Sequence, residues 1–162
     1  MPRLLVLTTL LLLPAAAQAR SWRNVTPGTT PAADVTKRFG EPTKRLKQGA
    51  KKILAYEGDE TIDGTKQAQF TIAEDGKVET IAIFPATVIE RTALADTYGP
   101  ECKEKQVPNC YVQKVSDDDF KTYFWYAKLG LVVFLSNDGK TVQSLLYVKP
   151  EKTEQKAQPK TE

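Results

Sequence analysis

Histidine is the usual proton shuttle near neutral pH, and the chain has none among its 162 residues. The customary base for activating a Ser or Cys nucleophile is therefore missing as well. Two cysteines, Cys102 and Cys110, come next, on either side of the polar segment KEKQVPN. An even count in a chain with an export leader predicts a disulfide, which leaves no thiol nucleophile. A thiol pair holding metal would recruit His or more Cys, so neither a metal nor a cofactor is expected.

The carboxylates offer little more. Glu57, Asp59 and Glu60 lie close in sequence, but glycoside hydrolysis needs two carboxylates that converge across a bond, and no feature of the sequence brings these together. The run Asp117-Asp118-Asp119 lacks the ligand alternation and closing Glu of a calcium loop and reads as a solvated loop before a strand. Lys44, Arg45, Lys47, Lys51 and Lys52 crowd one stretch. They suit lipopolysaccharide phosphate, an acidic partner surface or simply a solvated loop. No enzyme is expected from these residues.

Binding chemistry is better represented, in Tyr123-Phe124-Trp125-Tyr126. On a strand, neighbouring side chains face opposite sides, so one pair is buried and the other lies on the open sheet face. Tyr and Trp bring large contact area with little rotamer entropy, which protein-binding surfaces use. The candidate pair is Tyr123 with Trp125, or Phe124 with Tyr126, whichever is exposed.

The elements that position them begin after a leader. MPRLLVLTTLLLLPAAAQAR has one basic residue, an apolar run from Leu4 to Leu13 and the small-residue ending Ala17-Gln18-Ala19, the pattern of a secretory signal over residues 1–19. The run is too short for the ~20 apolar residues of a membrane span. With no Cys near the cleavage site to carry lipid, the expected location is periplasmic or secreted, with no integral membrane segment after cleavage. The formal net charge of +3, which falls further when Arg3 leaves with the signal, is too balanced for nucleic acid or an anionic membrane. From Lys149 onward no apolar residue exceeds Ala, and residues 151–162 read as a disordered tail.

Between leader and tail one order of signals occurs twice. Thr30 and Pro31 start a short helix in which Val35 and Phe39 share a face, and Gly40 stops it. A basic loop, TKRLKQGAKK, precedes three extended runs, Lys52–Glu57, Lys66–Ala73 and Lys77–Phe84, the last two joined at Asp75-Gly76, a hairpin signal. Later, Thr87 and Glu90 form a capping box, Leu94 and Tyr98 repeat the spaced pair, and Gly99 repeats the stop. After the cysteine loop come runs at Asp119–Lys128, Leu131–Ser136 and Thr141–Val148, with a turn at Asp138-Gly139. This predicts an α+β fold: two tandem helix-plus-antiparallel-sheet repeats, residues 20–85 and 86–150, sharing one curved sheet with helices on one face. Phe39 and Tyr98 then pin helix to sheet.

Pro27-Gly28-x-Thr30, Val35, Phe39-Gly40-x-Pro42, the Tyr56-bearing run and the Gly-turned hairpin resemble the SmpA/OmlA (BamE-like) family of outer-membrane assembly lipoproteins. Two such units resemble the β-lactamase-inhibitor-protein (BLIP) fold, whose repeats join into one concave sheet. The chain departs from the first in lacking a lipidated Cys, and from the second in having a cysteine pair only in its later half. The resemblance implies a non-catalytic module that recognises another envelope or secreted protein on a concave sheet. It also implies an alternative, inhibition of a β-lactamase or protease by the 58–65 hairpin, with Asp59 or Asp63 as the inserted acid; Asp63-Gly64 equally reads as turn chemistry. Export with cleavage after Ala19 should leave Arg20 as the first residue, which intact-mass measurement on the exported protein checks; a product that keeps Met1 would contradict it.

Overall fold

The structure, a computed structural model, describes residues 19–102, 109–117 and 121–150. Residues 1–18 of the expected leader, 103–108 between the cysteines, 118–120 with Asp118 and Asp119, and the expected tail 151–162 lie outside the described residues.

Alternating apolar positions become strands where the runs predict them. In chain order the elements are α1 (Ala32–Phe39), β1 (Lys44–Gln48), β2 (Lys51–Glu57), β3 (Thr65–Ile72), β4 (Val78–Pro85), α2 (Thr92–Tyr98), β5 (Val112–Val115), β6 (Thr122–Tyr126), β7 (Leu131–Leu135) and β8 (Val142–Tyr147). All eight strands form one antiparallel sheet in the order β1-β2-β3-β4-β8-β7-β6-β5. Its middle is the pairing of Ile81, Ala82 and Ile83 with Tyr147, Leu146 and Leu145.

This corrects the expected α+β class. The chain is mostly a single eight-stranded sheet with two short helices, of 8 and 7 residues, and not two helix-plus-sheet repeats. The basic stretch expected to be a loop folds back at Gly49, where φ is 60°, so that Lys44–Gln48 pairs with Lys51–Ala55. Cations along an edge strand are a common guard against unwanted pairing and do not exclude a strand. The cysteine region likewise ends in a strand, β5, which was not foreseen.

Helix entry also differs from expectation. Thr30 does not cap α1; its Oγ1 accepts the Thr26 N–H at 2.8 Å. The Thr87–Glu90 capping box does not form, since α2 starts at Thr92 and Glu90 bridges Thr141. Each helix is led in by main chain paired to the start of a strand. Val78 N–H donates to Thr30 O at 2.8 Å and Ala32 N–H to Gly76 O at 3.0 Å; Val142 N–H donates to Ile89 O at 2.9 Å and Arg91 N–H to Lys140 O at 2.8 Å.

The core lies between the helices and one sheet face. Val35 of α1 and Leu94 of α2 are buried against Tyr56, Phe70, Ile81, Val133 and Tyr126. Phe39 and Tyr98 pin the helices as expected, with ring centroids 5.6 Å from Phe70 and 5.8 Å from Tyr126. Two buried tyrosines then close the helix ends: Tyr56 hydroxyl donates to Gly40 O at 3.0 Å and Tyr126 hydroxyl to Gly99 O at 3.2 Å. Burial pushes both phenols, and that of Tyr147, above the ordinary tyrosine range. Tyr56→Phe or Tyr126→Phe should cost about 1 kcal/mol in urea unfolding, the net worth of one hydrogen bond. The raised phenols add a pH dependence. Their contribution is whole below pH ~10, where unfolded tyrosines titrate, and is lost as pH rises towards the higher folded values. Unfolding midpoints should fall above that pH, less steeply in Tyr126→Phe.

Candidate functional site

β6 decides which aromatics meet solvent. Phe124 and Tyr126 point to the helix side, 1% and 0% exposed, where Tyr111 stacks on Phe124 at a centroid distance of 4.0 Å and lies tilted against Tyr126 at 5.4 Å. Tyr123 and Trp125 point to the other face and are half-buried. The open pair is therefore Tyr123 with Trp125, and Phe124 and Tyr126 are core.

Sheet register shows what surrounds that pair. One row crosses all eight strands on the open face: Lys44, Ala55, Gln69 and Ala82 from β1 to β4, then Leu146, Val132, Trp125 and Val112 from β8 to β5. The neighbouring row places Glu57 beside Gln67 and Phe84, and Ser144 beside Phe134, Tyr123 and Lys114. The β8-to-β5 side is thus apolar and aromatic, with Tyr123 and Phe134 rings 5.4 Å apart. The β1-to-β3 side is mostly polar, with Leu46, 47% exposed, paired to Ile53 as its large apolar side chains. Among the described residues, no helix lies over this face. A groove of about 660 Å³ opens at its end, lined in part by Phe84, Pro85 and Val88.

Val132, Phe134 and Leu146 were not singled out from the sequence. The signal was there in LVVFL, apolar at every position, which marks a strand apolar on both faces. Assigning the second face needed the register.

Charge on the two sides differs. Lys44 pairs with Glu57, whose other oxygen accepts from Gln67 at 2.6 Å; Lys51 pairs with Glu79 at 2.7 Å and Arg45 with Glu41 at 2.5 Å. The basic cluster is thus largely neutralised at short range, although Lys47 stands opposite Lys52. On the aromatic side Lys114 sits over Trp125, Nζ 5.1 Å from the ring centroid, with no carboxylate partner among the described residues.

The 58–65 loop is anchored, not projecting. Ile62 and Thr65 are buried within it, and Arg23 donates to Asp63 O at 2.8 Å. Asp59 and Asp63 are exposed. Cys102 and Cys110 form the expected disulfide, Cα atoms 4.9 Å apart. Among the described residues no group of three or more His, Cys, Asp or Glu is placed to hold a metal, and no helix is long and apolar enough to cross a membrane.

The fold defines a class, an eight-stranded antiparallel sheet with short helices on one face and an aromatic patch on the other. No family model matches the chain, and no curated protein matches it in sequence. Among solved structures it is similar to a DUF4309 family protein, YjgB, of Bacillus subtilis, with TM-score 0.57 and 14% identity over 78% of this chain and 83% of that one. At that identity the likeness is one of fold. A cysteine-rich secretory protein of Staphylococcus aureus aligns over 72% of this chain and 41% of its own, at 12% identity and TM-score 0.42, a score too low to carry an argument.

Phe124→Ala should cost about 3–5 kcal/mol in urea unfolding, as for other buried aromatics, and Trp125→Ala well under half as much. Equal losses would mean that the Trp125 face is packed like the core.

Proposed function

We propose that the chain is an exported, non-catalytic protein-binding module of the cell envelope, which holds a partner protein on the open face of its sheet. The observation that carries this reading is the patch of Tyr123, Trp125, Val132, Phe134 and Leu146, left without a covering helix among the described residues. Half-exposed Tyr and Trp side chains set around an apolar centre are the composition of interface anchors. The Cys102–Cys110 disulfide supports an oxidising compartment, periplasmic or extracellular, and the leader supports cleavage on export. The resemblance to SmpA/OmlA assembly lipoproteins supports the same reading.

The alternative, a hydrolase inhibitor acting through the 58–65 loop, has less support. Ile62 and the Arg23 contact hold that loop against the body, where a plug would have to reach into the enzyme it blocks.

A photo-crosslinking amino acid placed separately at Tyr123, Trp125, Asp59 and Asp63 tests both in the exporting cell. Adducts to one envelope protein from positions 123 and 125, abolished by Phe134→Ala, are expected. Adducts from positions 59 and 63 alone, to a β-lactamase or protease whose activity falls, would overturn the sheet reading in favour of the inhibitor.

A further inference from the structure

An open sheet has two edges, and this chain treats them differently. β1 carries Lys44, Arg45 and Lys47 along KRLKQ, and charge of this kind discourages pairing with another chain. β5 reads VQKV, with Val112 47% exposed on the open face and Val115 53% exposed on the helix side.

The hydrogen bonds at each end of β5 give the direction of its main chain. Ser116 N–H donates inward to Lys121 O at 2.9 Å, whereas Tyr111 N–H donates outward to Pro100 O at 3.0 Å and Tyr111 O accepts from Cys102 N–H at 2.8 Å. Alternation along the strand turns the N–H and C=O of Gln113 and Val115 outward, and among the described residues these have no partner there. Among the described residues, the chain's own segment meets this edge at its first position, where Glu101 bridges Tyr111 in parallel beside the disulfide.

Two cations flank these outward positions, one on each face. Lys114 sits over Trp125. Arg91 donates to Gln113 Oε1 at 3.2 Å, its guanidinium 4.9 Å from the Phe124 ring centroid. Among the described residues neither pairs with a carboxylate, and all four ion pairs lie between residues 41 and 79. Glu101 and Asp117 stand at the two ends of the edge, outside ion-pair distance of either cation. From Val112 to Val115 an added strand would therefore meet an apolar residue, a cation beside Gln113, a second cation, and an apolar residue.

We propose that β5 accepts an extended segment of the partner protein as a ninth strand, and that this segment carries the order apolar-acidic-acidic-apolar. Main-chain hydrogen bonds to Gln113 and Val115 give such a strand its hold, and alternate side chains give its specificity. Its carboxylates meet Lys114 and Arg91, and its apolar ends meet Val112 on the open face and Val115 on the helix side. The order reads the same in both directions, so it fits parallel or antiparallel addition. The inference rests on the open face being a protein-binding surface.

The test titrates the isotope-labelled full chain with the blocked hexapeptide Thr-Val-Glu-Glu-Val-Thr, following amide shifts and hydrogen exchange by NMR. The Gln113 and Val115 amides should shift and exchange more slowly. Thr-Val-Lys-Lys-Val-Thr should bind about tenfold more weakly, and Lys114→Glu, a surface change that leaves Arg91 facing one new carboxylate, should abolish the preference. Replacing the central residues of the first peptide with proline should abolish the slowed exchange. Equal binding of the two charged peptides, or binding of neither at millimolar concentration, would overturn the inference. So would self-association through β5 without peptide, since the occupant would then be a second copy. Shifts confined to Trp125 and Phe134 would overturn strand addition while leaving the binding face intact.

Discussion

Three residue pairs hold the middle of this protein together. Ile81, Ala82 and Ile83 of β4 run alongside Tyr147, Leu146 and Leu145 of β8, and all that makes the sheet one sheet passes through them. Four strands lie on each side, and a unit of that size buries too little surface to stand comfortably alone. Joining them places Ile81 and Ile83 beside Tyr147 and Leu145 in one core, all nearly inaccessible to solvent. The same three pairs carry the open-face row across the centre, from Ala82 to Leu146. The open-face aromatic patch and the core are thus two sides of one register.

With the sheet in place, the helices need little of their own. Neither reaches the length at which an isolated helix persists in water, and neither has a side-chain cap at its start. They are held from outside: by lead-in segments bonded to the starts of β4 and β8, by Val35 and Leu94 buried in the core, and by tyrosine hydroxyls on the carbonyls of Gly40 and Gly99. On the α1 side the hold is reinforced by a cluster in which Trp22, Phe39, Tyr56 and Phe70 lie within about 6 Å of one another, centroid to centroid, in five pairs. Such edge-on and tilted pairs add to area burial by the attraction of ring edges to ring faces.

The open face separates two chemistries. From β1 to β3 its charged groups are mostly paired within the chain, and amides and hydroxyls surround the single aliphatic pair of Leu46 and Ile53. From β8 to β5 it is aromatic and aliphatic, with Lys114 the cation over its outermost ring. One edge strand carries three cations around a half-exposed Leu46, and the other a single lysine with two half-exposed valines. A surface so divided has a polarity: its aromatic part lies at the β5 side, next to the disulfide.

Much of this was legible in the residues. Short runs with Asp-Gly turns declared six of the strands, aromatic-Gly steps declared both helix ends, and cysteine count with the leader declared the disulfide. These are local signals, set by backbone sterics, turn chemistry and compartment. The basic hairpin and the strand after Cys110 were hidden because edge strands carry little apolar periodicity. The side of the sheet that Tyr123 and Trp125 face was undetermined, since alternation assigns two faces but does not say which is covered. That choice, like the addition of β1 and β5 and the union of the sheet at β4 and β8, was made by packing, because register between distant strands depends on which surfaces can be buried together.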